Sequence, residues 1–282
     1  MRDGDSSPGN AKVRTQYLSA CTTACVGEDV STGFGSVRIP GSIGERFSTL
    51  LGNQRIHRLM RPFLSPGAVI VDVGAHIGFN AIFAAHTVGT SGHVIAVEPA
   101  DDNVAVLREN VHRNGLSNVS IVPSAAGGTG GTRAFFVRGA CSAVNSFFEE
   151  SVYASVSEVR EVRVVPVDDI VSGSADLIKI DVEGAELDVL DGMTRLLQVP
   201  HVRLVVEWHP LLQEKAGHAP GALPRALLDR GFSLTGAFHS HVVPVATSDV
   251  DGLVERLRRS GRPIDILAQR ASTRVDRSQM VS

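Results

Sequence analysis

Three stretches of this chain hold residue types whose spacing could support chemistry. The first is Asp72-Val-Gly-Ala-His-Ile-Gly78, where two glycines follow an apolar run and precede Phe79-Asn-Ala-Ile-Phe-Ala-Ala85, a segment of helical composition. Glycine takes positive φ and lets a ligand approach the backbone, so Gly74 can form a shelf while Gly78 admits close packing at the helix start. Asp72, Gly74, Ala75, His76, Gly78 and Asn80 are the candidate contacts. The second is Glu98, which follows the apolar run His93–Val97 and precedes Pro99. An acidic residue roughly 20 positions beyond a glycine loop is where a carboxylate receives both hydroxyls of a ribose. The spacing is G-x-x-x-G, not the G-x-G-x-x-G that suits a pyrophosphate, so an adenosyl ligand without phosphates fits better than a dinucleotide. Ser124 and Ala125, after the next apolar run, stand where the adenine edge would be met.

The third stretch is split between Asp181, after Leu177-Ile-Lys-Ile180, and Glu207-Trp-His209, after Val202–Val206. Ligands of a doubly wound sheet meet residues at the C-terminal ends of its strands, which is where these groups would lie. Asp181, Glu207 and His209 could take a proton, His being the usual base near neutral pH, or converge on a divalent cation. Residues 207 and 209 share a face only if the strand continues that far. Three scattered donors do not amount to a metal motif. Each also has a plainer role: Asp181 as a helix cap, His209 as the entry before Pro210, Trp208 as core. Glu183 and Glu186 read as first-turn acids favoured by a helix dipole. Lys179, alone in an apolar strand, must reach a rim or pair with a carboxylate.

The elements that would position these groups follow from the apolar pattern. Runs at Val69–Val73, His93–Val97, Val119–Val122, Leu177–Ile180 and Val202–Val206 alternate with helical spacing at Asn103–Arg113 and Glu186–Leu197. Strands apolar on both faces, separated by helices, predict a doubly wound, mostly parallel α/β sheet covered on both sides. Thr132–Val137 and Val162–Val167 read as extra strands of a β insertion between the third and fourth core strands, extending an edge or shaping a pocket. Late strands are expected at Ser233–Phe238 and Asp265–Gln269, and one or two short helices within Ile43–Leu64.

Composition excludes several classes. Lys and Arg number 27 against 30 Asp and Glu, with no long basic run, so a nucleic-acid partner is not expected and a small acceptor is. The three cysteines, Cys21, Cys25 and Cys141, form neither a disulfide framework nor a zinc cage, and Cys141 has no base beside it in sequence. No apolar run approaches the roughly 18 residues of a membrane span, and the first residues lack a secretory apolar region, so the reducing cytoplasm is the expected compartment. His239 and His241 flank a late loop that could touch a substrate.

Taken together, DVGAHIG, VEP, LRENVHRNGL and above all Asp176-Leu-Ile-Lys-Ile-Asp-Val-Glu-Gly-Ala-Glu186 resemble the FkbM family of methyltransferases, over about half the chain from Val69 to Trp208. The family commonly has Asn where this chain has His76. The resemblance implies a Rossmann-like O-methyltransferase that uses S-adenosylmethionine on hydroxyls of small molecules, natural products, sugars or glycolipids. The methyltransferase domain is expected over 41–271, with a short N-terminal helical extension; composition makes residues 1–40 a partly disordered N-terminal extension and 272–282 a flexible tail. Since a sulfonium methyl is already electrophilic, such an enzyme needs to hold an oxygen in line and remove its proton, the work assigned to Asp181, Glu207 and His209. Two other readings stay open: a nicotinamide-dependent oxidoreductase, against which the G-x-x-x-G spacing and the lack of a YxxxK pair both count, and a non-catalytic binding module on the same fold.

Overall fold

The computed structural model of the protein describes residues 28–39, 53–139, 143–150, 154–238 and 241–270. Cys21, Cys25, Cys141 and His239 lie outside these residues, as do the first part of the Ile43–Leu64 segment and the 272–282 tail.

The central sheet has eight strands, built around β3 (Val69–Val73), β4 (His93–Val97), β5 (Val119–Val122), β9 (Leu177–Ile180) and β10 (Arg203–Trp208), all parallel. β11 (Phe232–Ala237), β12 (Val242–Val245) and β13 (Ile264–Arg270) complete the order β12-β11-β13-β10-β9-β3-β4-β5, with β13 antiparallel to both of its neighbours. This is a doubly wound, Rossmann-like α/β arrangement. The chain leaves β3 toward β4 on one side and returns to β9 on the other, so the crevice between β3 and β9 is the topological switch point where such sheets bind ligands.

The strand sequences explain their central position. β3 (VIVDV) and β9 (LIKI) are buried on both faces, Ile70 and Leu177 packing into one apolar layer, Val71 and Ile178 into the other. α1 (Phe79–Val88) is apolar nearly all round because one side lies on the sheet and the other under the residues that precede β3. α2 (Asp101–Arg113) is amphipathic, opening with Asp101 and Asp102 and closing with His112 and Arg113, the charge order its dipole favours.

The insertion between β5 and β9 does not extend the central sheet. β6 (Ala125–Ala126), β7 (Gly131–Val137) and β8 (Glu158–Val165) form a separate three-stranded sheet of order β6-β8-β7, followed by the short α3 (Val167–Ile170). Two other expectations change. The extension is not purely helical: β1 (Glu28–Thr32) and β2 (Gly35–Ile39) form a hairpin, and helix follows over residues 53–60. The expected Glu186–Leu197 helix stops early, as α4 (Glu186–Asp191), because the carbonyl of Gly192 turns to accept the Asp168 N–H at 3.0 Å.

Asn110 of α2 ties the hairpin to the loop after β3. Its side chain donates to the carbonyls of Ile77 (2.9 Å) and Arg38 (3.1 Å) and accepts the Arg38 N–H (2.7 Å), satisfying three backbone groups that no sheet or helix would otherwise reach.

Candidate active site

The loop after β3 is rigid by construction. Gly74 has φ +75°, and a Cβ there would lie 1.9 Å from the Asp181 carbonyl oxygen, so two backbones touch where only glycine fits. The N–H groups of Gly74 and Ala75 both donate to the Val97 carbonyl, at 2.9 and 3.0 Å. His76 has φ +51°, a conformation that His shares with Asn and Asp more readily than with other side chains, so the exchange of Asn for His keeps the turn. Gly78, at φ +91°, starts α1 and lets Leu107 close over it.

Glu98 is buried beside this loop. Its Oε2 accepts the His76 N–H at 2.9 Å, and its Oε1 accepts the Ala100 N–H and the Asn103 side-chain amide, both at 3.0 Å. Each oxygen keeps lone-pair capacity. Ser124 is buried with its Oγ unpartnered, Ala125 is buried at the start of β6, and Asn80 lies buried on the first turn of α1 beside the His57 imidazole. A cradle that a Cβ would fill, a carboxylate with capacity to spare and an orphaned buried hydroxyl fit a nucleoside cofactor: Glu98 at its ribose, Ser124 and Ala125 at its base, and the Asp72–Asn80 stretch along the rest.

Across the crevice, ionisable residues run along one face of four adjacent strands. Asp72 and Lys179 are cross-strand partners on β3 and β9; two residues further along, Asp181 follows β9, and Glu207 of β10 faces Asp265 of β13. Oxygens of Asp181, Glu183 and Glu207 lie within 4.8 Å of one another. Like charges so close favour a shared proton or a bound cation, and three carboxylates are the hard-oxygen donors that magnesium-type ions take. Burial pushes the Glu183 and Glu207 carboxyls well above the ordinary carboxylate range, and Asp181 adds to both shifts. The neighbouring Glu186 rises to about 7 through burial, moderated by the N–H of Gly184, which donates to it at 3.0 Å. Gln213 donates to the other Glu186 oxygen at 2.6 Å.

Two cations frame the acids. Lys179 Nζ lies 3.3 Å from Asp72, 3.4 Å from Asp181 and 3.1 Å from the Gly74 carbonyl oxygen, which it donates to. Burial alone would weaken its hold on the proton, but the two carboxylates outweigh that and the ammonium stays charged. At the other end Arg55 pairs with the buried Asp265.

His209 is not one of the three residues whose donor atoms cluster. β10 ends at Trp208, and His209, still extended at φ −119° and ψ 100°, caps α5 (Pro210–Lys215), its carbonyl accepting the N–H groups of Leu212 and Gln213. Burial lowers its imidazole to about 4, so it is neutral at pH 7. Trp208 is fully buried, its indole N–H donating to the Pro220 carbonyl at 2.8 Å.

Two residues of this region were not legible as such. Glu183 is not in a helical first turn: it sits at φ +55° ahead of Gly184, and the helix begins only at Glu186. Non-glycine residues in that conformation cost about 1–2 kcal/mol and mark places where geometry is imposed from outside. Arg138 of the insertion is almost wholly buried and donates to the carbonyls of Phe136, Val144, Glu149 and Ala154 at 2.9–3.2 Å, and its charge opposes that of Glu183. It knots the residues around Phe148, whose ring lies against Gly184. A lone Arg after Ala134-Phe-Phe-Val137 was the available signal. The insertion thus bears directly on the acid turn.

Comparison with known proteins places this geometry. The methyltransferase FkbM domain matches residues 72–234, more than half of the chain. The hexuronic acid methyltransferase AglP of Haloferax volcanii is 30% identical over 58% of this chain and 65% of its own length. An arsenite methyltransferase of Halobacterium salinarum is 39% identical over 56 residues, 20% of this chain and 14% of its own. The chain thus spans less than two thirds of either relative. Among solved structures, the FkbM methyltransferase of Methylobacillus flagellatus is 17% identical with a TM-score of 0.45, covering 71% of this chain and 43% of that one. A SAM-dependent O-methyltransferase of Thermotoga maritima is 13% identical with a TM-score of 0.41, covering 89% and 80%. The domain match spans both the glycine loop and the acid turn, and it decides against the nicotinamide reading: the chain belongs to the FkbM family of methyltransferases.

Proposed function

We propose that this protein is an S-adenosylmethionine-dependent O-methyltransferase acting on a hydroxyl of a small molecule, with a sugar-type acceptor favoured over a nucleic acid. One observation carries the reading: the backbone of the glycine loop touches the backbone of Asp181, whose carboxylate groups with Glu183 and Glu207. A cofactor seat and a proton-accepting cluster therefore lie against each other across one crevice. The cofactor, when bound, supplies an electrophilic methyl group. The chain's part is to hold the acceptor oxygen in line, take its proton as the new C–O bond forms and the C–S bond breaks, and keep bulk water out. Glu207 and Glu183, both made more basic than an ordinary carboxylate by burial and by Asp181, are suited to receive that proton, and Asp181 to orient the hydroxyl. His209, uncharged at pH 7, is at most a neutral hydrogen-bonding partner in the same step.

The near absence of basic runs, and the likeness to a hexuronic acid methyltransferase, support a carbohydrate-like acceptor of this class. The test is transfer of label from methyl-labelled S-adenosylmethionine to a panel of uronic acids, neutral sugars, phenols and short RNAs, with the linkage identified by mass spectrometry. An O-methyl product lost in Asp181→Asn and Glu207→Gln supports the reading. Labelled RNA, an N-linked or S-linked product, or full activity in both variants overturns it.

A further inference from the structure

Lys179 takes no direct part in the chemistry proposed above, yet it touches both the cofactor loop and the acid turn. It rises from the middle of β9 on the face it shares with Asp72; its ammonium donates to the Gly74 carbonyl at 3.1 Å and forms ion pairs with Asp72 at 3.3 Å and Asp181 at 3.4 Å. A lysine needed only to neutralise the buried Asp72 would not have to bond the cofactor loop and the acid turn as well. We propose that Lys179 is a positioning residue that fixes the Gly74 carbonyl and the Asp181 carboxylate relative to each other, so that filling the cofactor loop orders the acid turn. The inference rests on the reading of Gly74–Gly78 as a cofactor seat.

Its chemistry is that of a rigid three-way clip. The ammonium is a compact charge held between one carbonyl and two carboxylates, and it is nearly inaccessible to water. Moving the loop away from Asp181 would stretch the bond to Gly74 or pull the ammonium off Asp181, so neither wall shifts alone. The bond from the Asp181 N–H to the Val73 carbonyl, 3.1 Å, holds the backbones in register but leaves the Asp181 side chain unconstrained, and that constraint is what Lys179 adds.

Lys179→Met alone leaves Asp72 a buried charge without a partner and is prone to misfold. The informative variant is Asp72→Asn with Lys179→Met, which removes both buried charges together. S-adenosylhomocysteine serves as the probe, so no acceptor is needed, and calorimetry is combined with amide hydrogen exchange. Expected are a folded double variant, affinity for the probe weakened at least tenfold, and ligand-induced protection that persists at residues 76–78 but disappears at 181–184. A double variant that binds within threefold of wild type and still protects 181–184 reduces Lys179 to a counter-ion and overturns the inference. Failure of the wild-type protein to bind the probe would instead remove the cofactor reading, a result seen before any variant is made.

Discussion

The sharpest demand the structure makes is at Gly74, and replacing it with alanine has a magnitude that can be worked out. The new Cβ would stand 1.9 Å from the Asp181 carbonyl oxygen and 3.0 Å from its carbon, both backbone atoms with no rotamer to yield. Restoring an ordinary contact means moving one backbone by more than about 1 Å, in a close-packed region that resists it. Positive φ costs an L-residue about 1–2 kcal/mol, and the displacement breaks the Gly74 bonds to Val97 and Lys179, each worth roughly 0.5–1.5 kcal/mol net. The sum is about 2–5 kcal/mol, spent either on stability or on the bound form of the loop. In binding, 3 kcal/mol corresponds to roughly a hundredfold loss. Gly78→Ala is the control: its φ is also positive, but the Cβ would meet only the Leu107 Cδ1, the end of a flexible side chain, so the conformational cost dominates and the loss stays near tenfold. Calorimetric titration with S-adenosylhomocysteine, beside thermal melting, measures both. A Gly74→Ala protein that melts with wild type and binds the probe within threefold of it would refute the close-approach argument.

Other outcomes follow from the same geometry. Glu98→Gln places an amide donor against either the His76 N–H or the pair from Ala100 and Asn103, so cofactor affinity should fall by about tenfold or more by the same titration, and unchanged affinity would exclude Glu98 from the site. Glu186 is raised from 4.5 unfolded to about 7 folded, so its contribution is fully present below pH 4.5 and is lost as pH rises through 7; the difference amounts to about 3 kcal/mol. Wild type should therefore lose more melting temperature between pH 5 and 8 than Glu186→Gln, and parallel curves would contradict the shift. The rate of methyl transfer should fall on its acid side at a pH above the ordinary carboxylate range, because Glu183 and Glu207 hold their protons there, and Glu207→Gln should lower the plateau of that profile. Dialysis against EDTA is expected to leave activity intact, since Lys179 already brings positive charge to within 3.4 Å of Asp181; loss of activity restored by magnesium would assign the three carboxylates to a cation instead.

How much of this was legible in the sequence depends on where each element finds its partners. The core strands are readable because their reason is local: Val69–Val73, His93–Val97, Val119–Val122 and Leu177–Ile180 are short, mostly apolar, β-branched runs, and the structure gives each the same bounds. The glycine loop is readable for a related reason, since Gly74 answers a steric fact of the chain that no other residue type can meet. The hairpin at β1 and β2 was not readable, because what holds it is distant: Ser36 bonds to Asn114, and Arg38 to Asn110 and Glu109, all more than seventy residues along the chain. The acid turn lies between these extremes. The sequence places Asp181 and Glu207 at strand ends, and β10 stops where Pro210 commits the chain to a helix that His209 caps. Glu183 shows the limit most directly. Two residues before Ala185-Glu186 it has every mark of a helical first turn, and it is diverted into left-handed backbone beside Gly184, where Phe148 of the insertion packs and the charge of Arg138 opposes its own. Arg138 reaches the turn through carbonyls that exist only once the insertion has folded, so the third carboxylate of the cluster is set by an element whose own sequence carries no catalytic motif. Under the proposed function, changes at Phe148 or Arg138 should disturb the acid turn and lower the rate of methyl transfer, whereas changes in the glycine loop should lower cofactor affinity first in a titration with S-adenosylhomocysteine.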